Sequence, residues 1–281
     1  MEAPTNPDSG GETKSEFRVR KQPTTALLSE FIDNLVKVER LKEVRVQTGF
    51  SRIIAPTPKY DPDDELALSK DRLNWLPATV VRGEGIFFNL NKQRTAAWKE
   101  NPMVAERTEN ILRAFKERLE QREQKYEEQE IQITPEFILI HTLSHMLINQ
   151  LALGSGYNAA SIKERIYCGG EKPEMNGVLV FTGTSDSDGT LGGLARLAET
   201  NLFEKLMTDA VEDAQWCSSD PICSDGIIST SESMNNAACH SCLLLPETSC
   251  EQFNCFLDRA FVVGLPQNRS VGFFADLSRG A

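Results

Sequence analysis

Hydrophobic and polar positions along the chain follow two periods, one of about 3.6 residues and one of 2. The run TTALLSEFIDNLVKV sets Leu27, Leu28, Phe31, Ile32, Leu35 and Val36 at helical spacing behind a Thr or Ser cap, and it predicts a helix. EVRVQTGFSRIIAP places Val44, Val46, Gly49, Phe50 and Ile53 as extended strands around a turn, and TPKYDPDDELALSKD follows as a Pro and Asp loop. WLPATVVRGEGIFFNL predicts a β-hairpin, with β-branched Thr79, Val80 and Val81, a Gly83-Glu84-Gly85 turn, then Ile86, Phe87 and Phe88.

From Asn91 the pattern turns helical, through KQRTAAWKE and then a long charged helix from Met103 to about Glu130. Its apolar positions thin out after Leu119, so its second half is expected to face solvent. Thr134-Pro135-Glu136 starts FILIHTLSHMLINQLAL, an almost wholly apolar run that predicts a buried helix. After Gly154 and Gly156, NAASIKERIY is expected to be a short helix and GVLVFTG a strand. The small-residue loop TSDSDGTLGG then leads into LARLAETNLFEKLMTDAVEDAQW, one helix or two with a break near Thr200.

Composition adds that the 281 residues, 40% of them hydrophobic, can bury a core. No run approaches the roughly 18 to 20 uncharged apolar residues that a membrane span needs, and MEAPTNPDSGGETKSEF does not read as a secretion signal, so no membrane partner is expected. Of seven cysteines, six crowd into the last quarter, unlike the pairs that staple small secreted domains, so a reducing cytoplasm is expected. Residues 171–258 carry 15 acidic residues against Lys172, Arg196 and Lys205, a local balance of −12 within a total of −11. Phosphate backbones are bound by clustered cations, so this acidic segment is a poor DNA grip on its own.

The cysteines carry the chemistry. WCSSDPIC supplies Cys217 and Cys223, and ACHSC supplies Cys239 and Cys242 across a 15-residue polar loop. A Cys-x2-Cys pair places two sulfurs on one turn, and a second pair completes a tetrahedron for zinc. The spacing of the first pair exceeds the usual two to four, and His240, Cys250 and Cys255 stand nearby as alternates, Cys250 above all. A closed four-sulfur site has no open position for substrate and would fold its loop without catalysing.

Two other features admit chemistry. His141 and His145 lie four apart on the apolar helix, the spacing of helical zinc sites, but Thr142 stands where a metalloprotease needs its Glu. No third ligand is evident, so buried core histidines are the favoured reading. The loop with Asp186 and Asp188 has neither a dinucleotide nor a P-loop glycine pattern, and Gly189, Gly192 and Gly193 read as a tight connection.

The order HTLSHMLINQLALGSGYNAASIKERIY, a strand and Gly-rich loop, helices, WCSSDPIC, ACHSCLLLPETSCE and NCFLDRA resembles the zinc-binding domain at the C-terminus of MrfA-type helicases. Within that group it is similar to the DrmB family of the DISARM anti-phage defence system, and FSRI and WLPATVVRGEGIFFNL resemble that family further upstream. The resemblance implies a helper subunit of a superfamily 2 helicase acting on DNA, with zinc on Cys217, Cys223, Cys239 and Cys242.

The expectation is therefore a mixed α/β protein: a helical and β-hairpin N-terminal part, then a small α/β domain with a four-cysteine zinc-binding loop. Residues 1–22 form a flexible lead-in, 23–130 the helix and hairpin region ending in the charged helix, and 131–281 the helicase-associated zinc-binding domain. The expected function is non-catalytic, with DNA met mainly through the helicase complex. The alternative is a metal-dependent hydrolase, a nuclease, using His141, His145 and acids of the Asp186 loop. A stand-alone DNA-binding zinc module would need a basic face near the cysteines, which the balance of −12 opposes.

Overall fold

The run with helical spacing at Leu27–Val36 forms mainly a strand. A computed structural model describes residues 16–50, 66–71, 73–121, 132–168, 175–183, 193–225 and 234–277. In chain order the first half contains β1 (Arg18–Gln22), α1 (Ala26–Ser29), β2 (Ile32–Val46), β3 (Gly49–Phe50), β4 (Leu66–Ala67), β5 (Ala78–Leu90), α2 (Lys92–Lys99) and α3 (Pro102–Gln121). The second contains α4 (Pro135–Ser155), β6 (Ile162–Tyr167), β7 (Gly177–Thr182), α5 (Gly193–Arg196), α6 (Thr200–Asp213) and α7 (Ala260–Val263). A five-stranded sheet runs β1-β2-β5-β7-β6, antiparallel at every pairing, and β3 and β4 pair apart from it. The fold is thus mixed helices and antiparallel sheet, as expected, though β1 already uses part of the expected lead-in.

Three local expectations are corrected. Only Ala26–Ser29 is helical in the first run, with the Thr25 hydroxyl accepting from the Leu28 N–H at 3.1 Å. Beyond it, β2 is clasped between β1 and β5, and a register irregularity between Ile32 and Asn34 helps space the buried Ile32, Leu35 and Val38 three apart, which imitates a helix. The second correction concerns the expected hairpin, which is one continuous strand, β5. Its glycines mark the crossing of β7: a Cβ at Gly83 would stand 1.7 Å from the Thr182 carbonyl oxygen, and one at Gly85 2.5 Å from that of Val180. Third, NAASIKERIY is a single 3-10 turn at Ala159–Ser161 followed by β6 on the sheet edge, where Ile162 and Glu164 point inward.

The other elements follow the sequence. Thr134 caps α4 by accepting from the Phe137 N–H at 3.2 Å, Pro135 opens it, and Gly156 closes it at φ 75°. The helical run after Gly192 does break before Thr200, into α5 and α6. Along α3, Val104, Thr108, Ile111, Phe115 and Leu119 bury one stripe; the predicted continuation to Glu130 lies outside the described residues. The same holds for Asp186, Asp188, Gly189 and Gly192.

One core holds these elements together. Phe31 stacks on Phe274 with centroids 5.2 Å apart, and Trp98 packs edge-on against Phe261 at 5.1 Å while its indole N–H donates to the Val271 carbonyl at 2.7 Å. Arg107 grips the buried Asp258 carboxylate at 2.6 and 2.8 Å, fastening α3 to the end of the cysteine segment. Helix α4 is long and apolar enough by length and composition to cross a membrane, but most of it is buried inside the protein. It is the central core helix, and His141, Ser144 and His145 on it have no exposure.

Candidate metal centres

The polar chain after α6 turns back on itself twice, and each turn delivers two thiols. In the first, the Asp220 carboxylate accepts from the backbone N–H groups of Cys217 at 2.9 Å and Ser224 at 3.0 Å, which fixes Cys217 and Cys223 on one short loop. Arg259 ties that loop to the core, donating to Asp220 at 2.6 Å and to the Ala214 carbonyl at 2.9 Å. In the second, the Cys242 and Leu243 N–H groups both donate to the Cys239 carbonyl, at 3.2 and 3.0 Å. The sulfur separations are 3.5 Å for Cys217–Cys239, 3.8 Å for Cys223–Cys242 and 3.7 Å for Cys239–Cys242, and all four sulfurs lie within 4.8 Å of one another. A tetrahedron of thiolates at a Zn–S length of about 2.3 Å has edges of about 3.8 Å. The donor set fits zinc.

The thiols' acidities agree with that chemistry. The Cys223 thiol is pushed far up, first by its hydrogen bond with Cys242 and then by burial, and burial raises Cys217. Burial also opposes ionisation of Cys239, but hydrogen bonds from Cys217, the Ser241 backbone and its other thiol neighbours bring it down to about 7. Four thiolates this close repel one another, and a metal ion among them removes that repulsion. None of the alternates joins this group. His240 is exposed, Cys255 is buried in the hydrophobic core with its thiol pushed up to about 12 by burial, and Cys250 belongs elsewhere.

Cys250 completes a second cluster, with His141 and His145 from α4 and Glu164 from β6. The His141 Nε2 lies 3.1 Å from the Cys250 sulfur and 3.2 Å from Glu164 Oε1, and the His145 Nε2 lies 3.6 Å from the same oxygen. The imidazoles meet edge to face, centroids 4.6 Å apart. The two histidines and Glu164 have side chains with no exposure, and Cys250 is 6% exposed. His145 Nδ1 donates to the Leu243 carbonyl at 2.9 Å, and His145 Nε2 is a buried nitrogen without a hydrogen-bond partner. Burial would raise the Glu164 carboxyl, but the charges of His141 and His145 reverse this and hold it far below the usual carboxylate range; burial lowers His141.

The histidines therefore do not stand alone in the core, as the sequence suggested. The third and fourth donors were missed because Glu164 looked like the polar face of a helix and Cys250 like a spare for the thiol cluster. The signal that could have found Glu164 is the alternation Ile162, Glu164, Ile166 on an edge strand.

Residues 143–243 match the family model described as MrfA Zn-binding domain. The chain is also 37% identical over 250 residues to the DISARM protein DrmB of Bacillus paralicheniformis, an alignment that takes in 88% of this chain and 44% of that protein. This chain thus spans less than half the length of the curated relative it matches. All four clustered thiols fall inside the matched zinc-binding residues, whereas His141 and Cys250 fall outside them. With both likenesses on one chain, it is similar to the DISARM protein DrmB over most of its own length, and its four clustered thiols lie within the residues that match the MrfA Zn-binding domain.

Proposed function

We propose that the chain is a non-catalytic, zinc-binding helper of a separate superfamily 2 helicase, working in DISARM-type anti-phage defence in the cytoplasm. In this reading Cys217, Cys223, Cys239 and Cys242 hold the zinc, and DNA is met mainly through the helicase. The observation that carries it is the closure of the thiol cluster: four sulfurs at tetrahedral spacing leave no open position for water or substrate, so the ion folds the segment. The local charge of −12 over residues 171–258 makes unaided DNA binding weak, and all seven cysteines are free thiols, in keeping with a reducing compartment.

The hydrolase reading would need an ion on His141 and His145 that water and substrate can reach, and those imidazoles have no exposure. The test measures DNA affinity at one near-physiological salt concentration for this chain, a partner helicase, and the two mixed. The mixture should bind more tightly than either alone, with ATP hydrolysis only where the helicase is present. If this chain alone binds as tightly as the mixture, or hydrolyses ATP or DNA, the helper reading is wrong.

A further inference from the structure

We infer that His141, His145, Glu164 and Cys250 form a second zinc site, buried in the core and separate from the four-thiol cluster.

The geometry carries the inference first. Zinc bonds of about 2.0–2.1 Å to nitrogen, about 2.0–2.2 Å to oxygen and about 2.3 Å to sulfur place tetrahedral donors about 3.3–3.6 Å apart. His141 Nε2 stands 3.1 Å from the Cys250 sulfur and 3.2 Å from Glu164 Oε1, His145 Nε2 stands 3.6 Å from that oxygen, and one donor atom from each of the four residues lies within 4.8 Å of the others. His145 points a fully buried Nε2, without a hydrogen-bond partner, at the Glu164 Oε1 oxygen 3.6 Å away. A buried imidazole nitrogen left without a hydrogen bond costs free energy, and a metal ion held by it and the carboxylate would remove that cost.

Charge points the same way. A divalent cation with one thiolate, one carboxylate and two neutral imidazoles sums to zero, the only total a fully buried site tolerates cheaply. The Cys250 proton leaves as the metal enters, so binding releases one proton to solvent. Thiolate and imidazole donors select zinc over magnesium or calcium.

The surroundings are built for ligands. The Cys250 sulfur accepts from the backbone N–H groups of Gln252 and Asn254, each at 3.3 Å, as the chain wraps it through left-handed conformations at Phe253 (φ 51°) and Asn254 (φ 61°). Glu164 takes hydrogen bonds from the Ser144 hydroxyl and, at 3.3 Å, from the Glu251 N–H, while Leu243 orients His145. The ion would join α4, β6 and the chain after the thiol cluster at one point, and with four protein donors its role is structural. The site shares no ligand with the four-thiol cluster, so its failure would leave the proposed function standing.

Zinc per folded chain, measured by elemental analysis on protein purified without added metal, tests this. About two ions are expected, falling to about one in Cys250→Ala and to about one in Cys239→Ala. X-ray absorption on the unaltered chain needs no variant to fold: with both sites filled, about three of every eight zinc ligands are nitrogen or oxygen, against pure sulfur for the thiol cluster alone. One zinc per unaltered chain with an all-sulfur spectrum overturns the second site, as does a folded Cys250→Ala chain that keeps both ions.

Discussion

The two donor clusters hold the same number of ligands and solve opposite problems. The thiol cluster lies in irregular chain and forms a small cluster of its own, so a metal there would stand in for a hydrophobic core. The histidine cluster lies inside the hydrophobic core, where the cost of burying Glu164 and two imidazoles must be offset by whatever binds them together. Their charge accounts differ as well. Zinc with four thiolates keeps two negative charges, and Arg259 stands beside them, its own charge favoured by Asp220, Cys223 and Cys242 against the penalty of burial. The core cluster, with an ion bound, would balance its charge from its own four side chains. A metal at a loop organises chain, whereas a metal in a core neutralises it.

The largest effect should come from unbalancing the core cluster. Glu164→Ala removes the fully buried carboxylate beside His141 and His145, one of the two negative charges that would balance the core ion, and should lower unfolding free energy by about 4 kcal/mol, since a buried charge is left uncompensated. A loss below about 1 kcal/mol in urea denaturation would mean that Glu164 does not organise this core. Arg259→Ala should cost less, about 2 kcal/mol, for its bonds to Asp220 and Ala214, because Asp220 keeps contact with solvent. It should also weaken zinc retention at the thiol cluster about 10-fold to 100-fold in a chelator competition and leave the core ion in place. Equal release of both ions would remove the distinction between the centres. The smallest effect belongs to Cys255→Ser, which places a hydroxyl among apolar residues and should cost about 1 kcal/mol with zinc content unchanged. Lost zinc there would put Cys255 in a ligand set.

The contrast also explains what could be read in advance. The thiol cluster comes from two short turns, Cys217 to Cys223 and Cys239 to Cys242, so local spacing is enough to propose it. The core cluster joins residues up to 109 positions apart, His141 to Cys250, and only the return of the chain over α4 and β6 brings them together. Helix α4 was legible because Thr134, Pro135 and a long apolar run all point to one buried helix. Strand β2 was not, because its buried residues fall three apart on a strand whose register slips, and sequence spacing alone does not separate that from a helical turn. In β5 the glycines read as a turn because the neighbour they make room for, β7, lies about a hundred residues further on.

The measurement that bears most directly on the zinc assignment is made on Cys242→Ser, with zinc content and limited proteolysis read on the same preparation. The unaltered chain should resist cleavage between Trp216 and Leu257, and the variant should lose about one zinc ion and become protease-sensitive there, because the metal's binding energy is the folding energy of that segment. Zinc content equal to that of the unaltered chain, with the segment still protected, would contradict the four-thiol site and the structural role built on it.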